Sequence, residues 1–222
     1  MIEATISADV INSTSFDKDD MFRLNQHLKS FIEILERTYH GCWGRVVRGD
    51  GVEVVVPRIK DVMRIAIMLK CHVKAMNVNF GILHVLGNRR RIPHFGVRVV
   101  IGIGDLRIND REKDIIDGDA IYNSGRMLSR LASKSRGTLI LVGGDPKTQV
   151  TAQALLSLID VIVMHSTAKQ CDIMVKRFLG MSEDEIANQV GITRSAVNTH
   201  LRRAGWFAIS STIDFFENVL YR

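Results

Sequence analysis

Two aspartates and one short helix hold the residues whose types and spacing point to chemistry. Asp9 closes a β-branched run from Ile2 to Ile11, and Asp50 stands in a Gly49-Asp50-Gly51 turn. Two carboxylates at the ends of neighbouring strands would hold a magnesium ion. Such an ion takes one or two carboxylates with phosphate and water oxygens, the donor set of nucleotidyl transfer. Asn12, Ser13 and Thr14 follow Asp9 directly. Their hydroxyls and backbone N–H groups suit a phosphate at a helix start, with Arg48 close to Asp50 as a cation. Plainer readings stand beside these: turn chemistry alone favours Asp50, Asp9 serves as a cap, and Asn-Ser-Thr is ordinary composition for a helix entry.

The second constellation runs from Met181 to Trp206 (MSEDEIANQVGITRSAVNTHLRRAGW). Ser182 and Glu185 form a capping box, Ile186, Ala187 and Val190 are core positions, and Gly191 permits a tight turn. Thr193 caps a second helix with Ala196, Val197 and Leu201 inward, which leaves Arg194, Ser195, Asn198, Thr199, Arg202 and Arg203 outward. Those residue types reach phosphates and base edges when a helix enters the major groove. The segment resembles the DNA-binding helix-turn-helix of sigma-factor region 4. The resemblance implies DNA as a partner, with Thr193 and the six outward residues at the contact. A basic two-helix motif that binds protein is the alternative. One such module neutralises few phosphates, and non-specific contact at that level gives a Kd of roughly 10⁻⁴ to 10⁻⁶ M. Useful specificity therefore calls for a homodimer reading two half-sites. The final helix, with Ile213, Phe215, Phe216, Val219 and Leu220, is apolar enough to pack on the helix-turn-helix or on a second copy; packing within the chain is the simpler use.

The elements that must position these groups follow from periodicity. Residues 2–11 read as a strand, and a helix follows over about 18–39 with Asp17 as N-cap and Phe22, Leu28, Phe31, Ile32 and Leu35 on one stripe. Arg45 to Arg48 and Val52 to Val56 flank the Gly-Asp-Gly turn as a hairpin, which Pro57 ends. A second amphipathic helix covers about 59–75, a basic loop holds Asn88 to Arg91, and 96–104 is the next strand. The order β-α-β-β-α-β is the ferredoxin-like split unit, a fold that hosts many unrelated functions. A helix over 118–134, a strand over 138–142 and a long apolar helix over 147–164 complete this part.

In that order the landmarks Ala8 to Thr14, Arg48 to Val52, Ile101 to Gly104 and Gly118 to Met127 resemble the class III nucleotide cyclase catalytic domain, and still more the SatD-like proteins. The similarity covers about residues 2–142. It implies that Asp9 and Asp50 are the metal-binding pair and that Arg126 stabilises a transferring phosphoryl group. The departures are specific. Asn12-Ser13 replaces Gly-Phe, Tyr122 stands where the transition-state asparagine belongs, and Val46 takes the place of the base-selecting lysine. Losing a pre-aimed transition-state donor costs ~10²-fold or more in rate, so cyclase turnover is expected to be weak or absent. Arg126 with Arg130 also reads as a solvated helix face. Cyclase domains form sites between two subunits, which again implies a homodimer.

Composition bounds the rest. With 222 residues, 46% hydrophobic and 24% charged, 17 Gly and 3 Pro, the chain is neither disordered nor collagenous. No uninterrupted apolar run reaches the ~18 residues of a spanning helix, and polar Glu3, Ser7 and Asp9 sit where a signal peptide would be apolar. Three separated cysteines fit neither a disulfide framework nor paired metal ligands, so a cytoplasmic protein with no membrane segment is expected. His72, His84 and His94 show no ligand spacing, and Gly102-Ile103-Gly104 falls short of a dinucleotide fingerprint. The net charge is +6, and residues 1–167 hold 23 basic against 18 acidic residues, so the excess does not sit on the helix-turn-helix. No linker-like segment separates the parts.

The expected fold class is α/β (α+β): a cyclase-type core over 1–165, then an all-α helix-turn-helix domain over 166–222. The expected function is DNA-binding regulation by a chain whose cyclase-like part senses a nucleotide and is not an active enzyme. Two alternatives are a magnesium-dependent nucleotidyl or phosphoryl transferase with a helical regulatory cap, and a protein-interaction module.

Overall fold

The computed structural model describes residues 2–76, 96–134 and 137–221. The basic run Asn88 to Arg91, with His84 and His94, lies outside them. The first elements are β1 (Ile2–Val10), α1 (Lys18–Thr38), β2 (Trp43–Val47), β3 (Gly51–Val56), α2 (Val62–Ala75) and β4 (Val97–Asp110). Strand order is β2-β3-β1-β4, with β1 antiparallel to both neighbours, as in a ferredoxin-like sheet. After β5 (Ile115–Gly118) and α3 (Asp119–Lys134), β6 (Leu139–Gly143) pairs in parallel with β4. Five helices close the chain: α4 (Pro146–His165), α5 (Ala168–Phe178), α6 (Glu183–Val190), α7 (Arg194–Arg203) and α8 (Trp206–Phe215), which runs into a π-helical turn, Phe216–Leu220.

Strand alternation decides what each face carries. Ala4, Ile6, Ala8 and Val10 are buried with Val99, Ile101 and the apolar faces of α1 and α2 in the main core. Thr5, Ser7 and Asp9 point the other way, where α3 covers the first two. Ser124 Oγ lies 3.0 Å from Thr5 Oγ1 and 2.8 Å from Ser7 Oγ. Gly102 makes that approach feasible, because a Cβ there would stand 2.1 Å from the Ala120 carbonyl oxygen. The Gly102-Ile103-Gly104 strand therefore accommodates a helix.

Three features depart from expectation. β4 extends to Asp110 and forms a hairpin with β5 that folds toward β2, where Trp43 Nε1 donates to Asn109 Oδ1 at 2.7 Å. Phe22 is exposed, because the buried stripe of α1 is Leu24, Leu28, Phe31, Ile32 and Leu35, and residue 22 falls on the opposite side of that helix. In the last helix Ile213 and Phe216 are buried and Leu220 packs partly buried against the core, but Phe215 and Val219 are exposed.

No gap in packing separates the two parts. α5, capped by a Thr167–Gln170 box, lies on α2. The Cys71 and Cys171 thiols meet there, and their hydrogen bond, with burial, pushes the Cys71 thiol up. Lys70 Nζ on α2 pairs with Asp160 of α4 at 3.0 Å and donates to Thr138 Oγ1 at 2.7 Å and to the Val97 carbonyl at 2.9 Å. Lys74 caps the C-terminal end of α4 through the Val163 and Met164 carbonyls. Arg64 of α2 forms a forked pair with Glu217 in the terminal π turn at 2.8 and 3.1 Å. By length and composition α4 is apolar enough to cross a membrane, although it carries this buried Asp160–Lys70 pair.

Candidate functional site

The acid pair is assembled by strand register. Asp9 stands opposite Gly51 on β3 and opposite Arg98 on β4. The β2–β3 connection uses left-handed backbone at Arg48 (φ 54) and Gly49 (φ 90), which turns Asp50 back to the end of β1. There the Val10 N–H donates to the Asp50 carbonyl oxygen at 3.2 Å. Ser13, buried in a 3₁₀ turn (Ser13–Ser15) that follows left-handed Asn12, donates its hydroxyl to Asp50 Oδ2. Asn12 and Thr14 lie exposed beside it.

Arg98 Nη1 is 3.0 Å from Asp9 Oδ2. Burial first and the Asp50 charge second hold the Asp9 carboxyl above its ordinary range, against the pull of Arg98 and Arg48. The structure thus brings Asp9, Asp50, Ser13 and Arg48 to one end of the sheet. Arg98, which the sequence did not single out, joins them, because β1–β4 pairing alone places it opposite Asp9. The donors present suit either a divalent cation on the two carboxylates or a phosphate on the two guanidinium groups. A cation would share the Asp9 carboxylate with Arg98 or displace it from Oδ2. Among the described residues no third acid, histidine or cysteine completes a metal cluster.

Arg126 lies elsewhere. Its guanidinium packs 5.2 Å from the centroid of the Tyr122 ring. Tyr122 in turn donates to Asp117, which pairs with Arg107 at 2.9 Å. Among the described residues no hydrogen bond or ion pair joins Arg126 to Asp9 or Asp50. Arg45, another arginine near the hairpin turn, is engaged by Glu53 at 2.7 Å and by Asp114 at 3.2 Å.

The helix-turn-helix forms as its caps dictate. Ser182 and Glu185 complete a reciprocal capping box on α6, and Gly191 takes φ 70 as the C-cap. Thr193 Oγ1 accepts from the Ala196 N–H at 3.2 Å to start α7. Val197 and Leu201 are buried, while Arg194, Ser195, Thr199, Arg202 and Arg203 are exposed. The outward residues are not equivalent. Arg194 is held by Glu183 and Asp184, each at 3.5 Å, and Asn198 Nδ2 donates to Glu183 at 3.2 Å. Among the described residues no ion pair holds Arg202 or Arg203. The acidic first turn of α6 was legible as a capping signal, but its reach to α7 required the fold.

A family model described as sigma-70, region 4, matches residues 169–204, from α5 through the end of α7. Comparison with curated proteins gives no match. Among solved structures, a bacterial light-regulated adenylyl cyclase shares 12% identity at a TM-score of 0.44, over 64% of this chain and 43% of that one. The guanylyl cyclase Cya2 shares 14% identity at a TM-score of 0.42, over 64% of this chain and 74% of that one. The catalytic core of a rhodopsin-guanylyl cyclase in complex with ATPalphaS shares 18% identity at 0.40, over 58% and 71%. The chain thus spans less than half the length of the first of these. Its helix-turn-helix, with α5 as a third supporting helix, is similar to region 4 of the sigma-70 factors.

Proposed function

We propose that this chain is a DNA-binding regulator in which α7 enters the major groove and the Asp9–Asp50 end of the sheet receives a phosphate-bearing ligand such as a nucleotide. One observation carries the DNA reading: in a segment similar to sigma-70 region 4, α7 buries Val197 and Leu201 and exposes Ser195, Thr199, Arg202 and Arg203. Two copies bound to two half-sites would supply the phosphate contacts that one short helix lacks. An electrophoretic shift on genomic fragments over a salt series tests the reading. Changing Arg202 and Arg203 together to Ala is expected to weaken binding at every salt and to reduce the logarithmic salt slope by about two for each copy bound. An unchanged affinity and slope would remove α7 as the reader.

A second reading, a magnesium-dependent nucleotidyl or phosphoryl transferase, is favoured by the convergence of Asp9 and Asp50. There the two carboxylates would hold the cation, which would neutralise substrate phosphates. Ser13 would keep Asp50 oriented, and Arg98 would compete with the cation for the Asp9 carboxylate. Nucleoside triphosphate turnover that requires Mg²⁺ or Mn²⁺ and disappears in Asp9→Ala supports this reading; turnover unchanged in that variant removes the site.

A further inference from the structure

The spacing of the three cysteines announces no disulfide framework, yet the fold brings two of them together. Cys71 on α2 and Cys171 on α5 stand 100 positions apart in the chain. Both are fully buried, and their helices pack along one another. The Cys71 thiol donates a hydrogen bond to the Cys171 sulfur. A disulfide requires two side chains that point at one another across closely packed backbone, and this contact supplies that arrangement.

The three thiols do not share one chemistry. Burial first, then the Asp61 charge, pushes the Cys42 thiol up to about 12, so it stays protonated and inert near neutral pH. At the junction the hydrogen bond from Cys71 first, then the ammonium groups of Lys74 and Lys70, hold the Cys171 thiol below its ordinary range against the effect of burial. Cys171 is thus the nucleophile of the pair, and Cys71 is the neighbour that resolves. Helix ends give the route in. α2 stops at Ala75, four residues beyond Cys71, and α5 starts at Ala168, three residues before Cys171. Both thiols therefore lie near helix termini, which open at lower free energy than helix centres.

We propose that Cys71 and Cys171 form a reversible disulfide that fastens α5 to α2 when the chain meets a hydroperoxide. The Cys171 thiolate attacks the peroxide oxygen, the O–O bond breaks, and the leaving oxygen takes up the proton that Cys171 released, departing as an alcohol or water. The Cys71 sulfur then attacks the Cys171 sulfenic acid: the S–S bond forms, the S–O bond breaks, and the hydroxyl leaves as water with the Cys71 proton. The two thiols together lose two electrons and two protons, and the peroxide takes both. A dithiol reverses the bond by exchange. Because α5 is the first helix of the segment similar to sigma-70 region 4, the bond ties the sheet part directly to the helix-turn-helix.

The test treats the folded full chain with a molar excess of hydrogen peroxide, then denatures it, tags the remaining thiols with a maleimide and maps the linked peptides by mass. The reduced chain is expected to take three tags and the oxidised chain one, on Cys42, with a single linked pair that contains Cys71 and Cys171. The melting temperature of the oxidised chain should rise by at least about 4 °C and return after dithiothreitol. Cys71→Ser should abolish the link and leave a Cys171 sulfenic acid that dimedone captures. Three tags on the treated chain overturn the proposal, as does a link that involves Cys42 or joins two chains. Cys171 carried to sulfinic acid while Cys71 stays free overturns it as well. The tag count and the peptide map use the native chain, so they decide the matter even where Cys71→Ser fails to fold.

Discussion

At the Asp9 end of the sheet the charges with assigned contacts are answered from within the chain: Arg98 meets Asp9 and Ser13 meets Asp50. On α7 the pattern divides. Arg194 and Asn198 are held by acids of α6, while Arg202 and Arg203 stand exposed with no ion pair among the described residues. A charge already paired must exchange a partner to bind a ligand, whereas a solvated arginine gives up only screening counterions and water. A ligand at the sheet end would meet side chains already paired with one another, whereas one at α7 would meet solvated arginines.

One hydrophobic core joins the two regions, and the largest expected effect tests how tightly it couples them. Lys70→Met leaves Asp160 buried without its cation, and breaking a buried pair in this way destabilises by about 3–5 kcal/mol. The melting temperature should drop by roughly 6–20 °C. Calorimetry should show one transition, since the core runs from β1 through Phe216. Two separated transitions would show that the regions melt independently.

Next in size is a pH effect at the junction. His27 of α1 and His72 of α2 stack at 3.8 Å, and each ring Nε2 hydrogen-bonds the backbone carbonyl of the other residue. Burial first, then the neighbouring His27, lowers His72 to about 4. The folded state therefore favours the neutral ring, and the unfolded chain binds the proton more readily. Stability is complete above pH ~6.5 and is lost progressively as pH falls toward about 4. Urea melts at pH 7.5 and pH 5 should differ by about 2 kcal/mol from His72 alone, and His72→Phe should flatten that slope.

Smaller effects sharpen the contrast of charges. Glu183→Gln releases Arg194 and Asn198 and removes an anion beside α7. DNA affinity at low salt should rise by roughly three- to tenfold, measured by fluorescence anisotropy. At the other site Arg98→Gln frees Asp9, and Mn²⁺ affinity read by calorimetric titration should increase by about tenfold. No change in either variant would mean that these internal partners do not govern ligand access.

The readable parts of the chain share a local cause. The Ser182–Glu185 box, the Gly191 turn and the Thr193 cap each satisfy backbone groups within a few residues, so type and spacing sufficed to place α6 and α7. The Gly49-Asp50-Gly51 turn and the β-α-β-β-α-β order were legible for the same reason. α5 opens on the same kind of local signal, the Thr167–Gln170 box, although no helix was expected there, and periodicity marks β4 only as far as Gly104. Its far half is held by contacts such as Trp43 with Asn109, which no local pattern announces. Phe215 and Val219 looked like core because composition does not say which side of a helix finds a neighbour.

The sequence by itself therefore determined the β-α-β-β-α-β order of the first part, the helix-turn-helix and the two aspartates at a turn and a strand end, because capping, turn chemistry and periodicity act over a few residues. Only the tertiary structure decided that Arg98 answers Asp9, that Glu183 restrains Arg194, that Arg126 packs on Tyr122, and that one core joins the two parts. Those outcomes depend on strand register and helix packing between residues far apart in the chain, where the free energy of burial and pairing is settled by which surfaces meet.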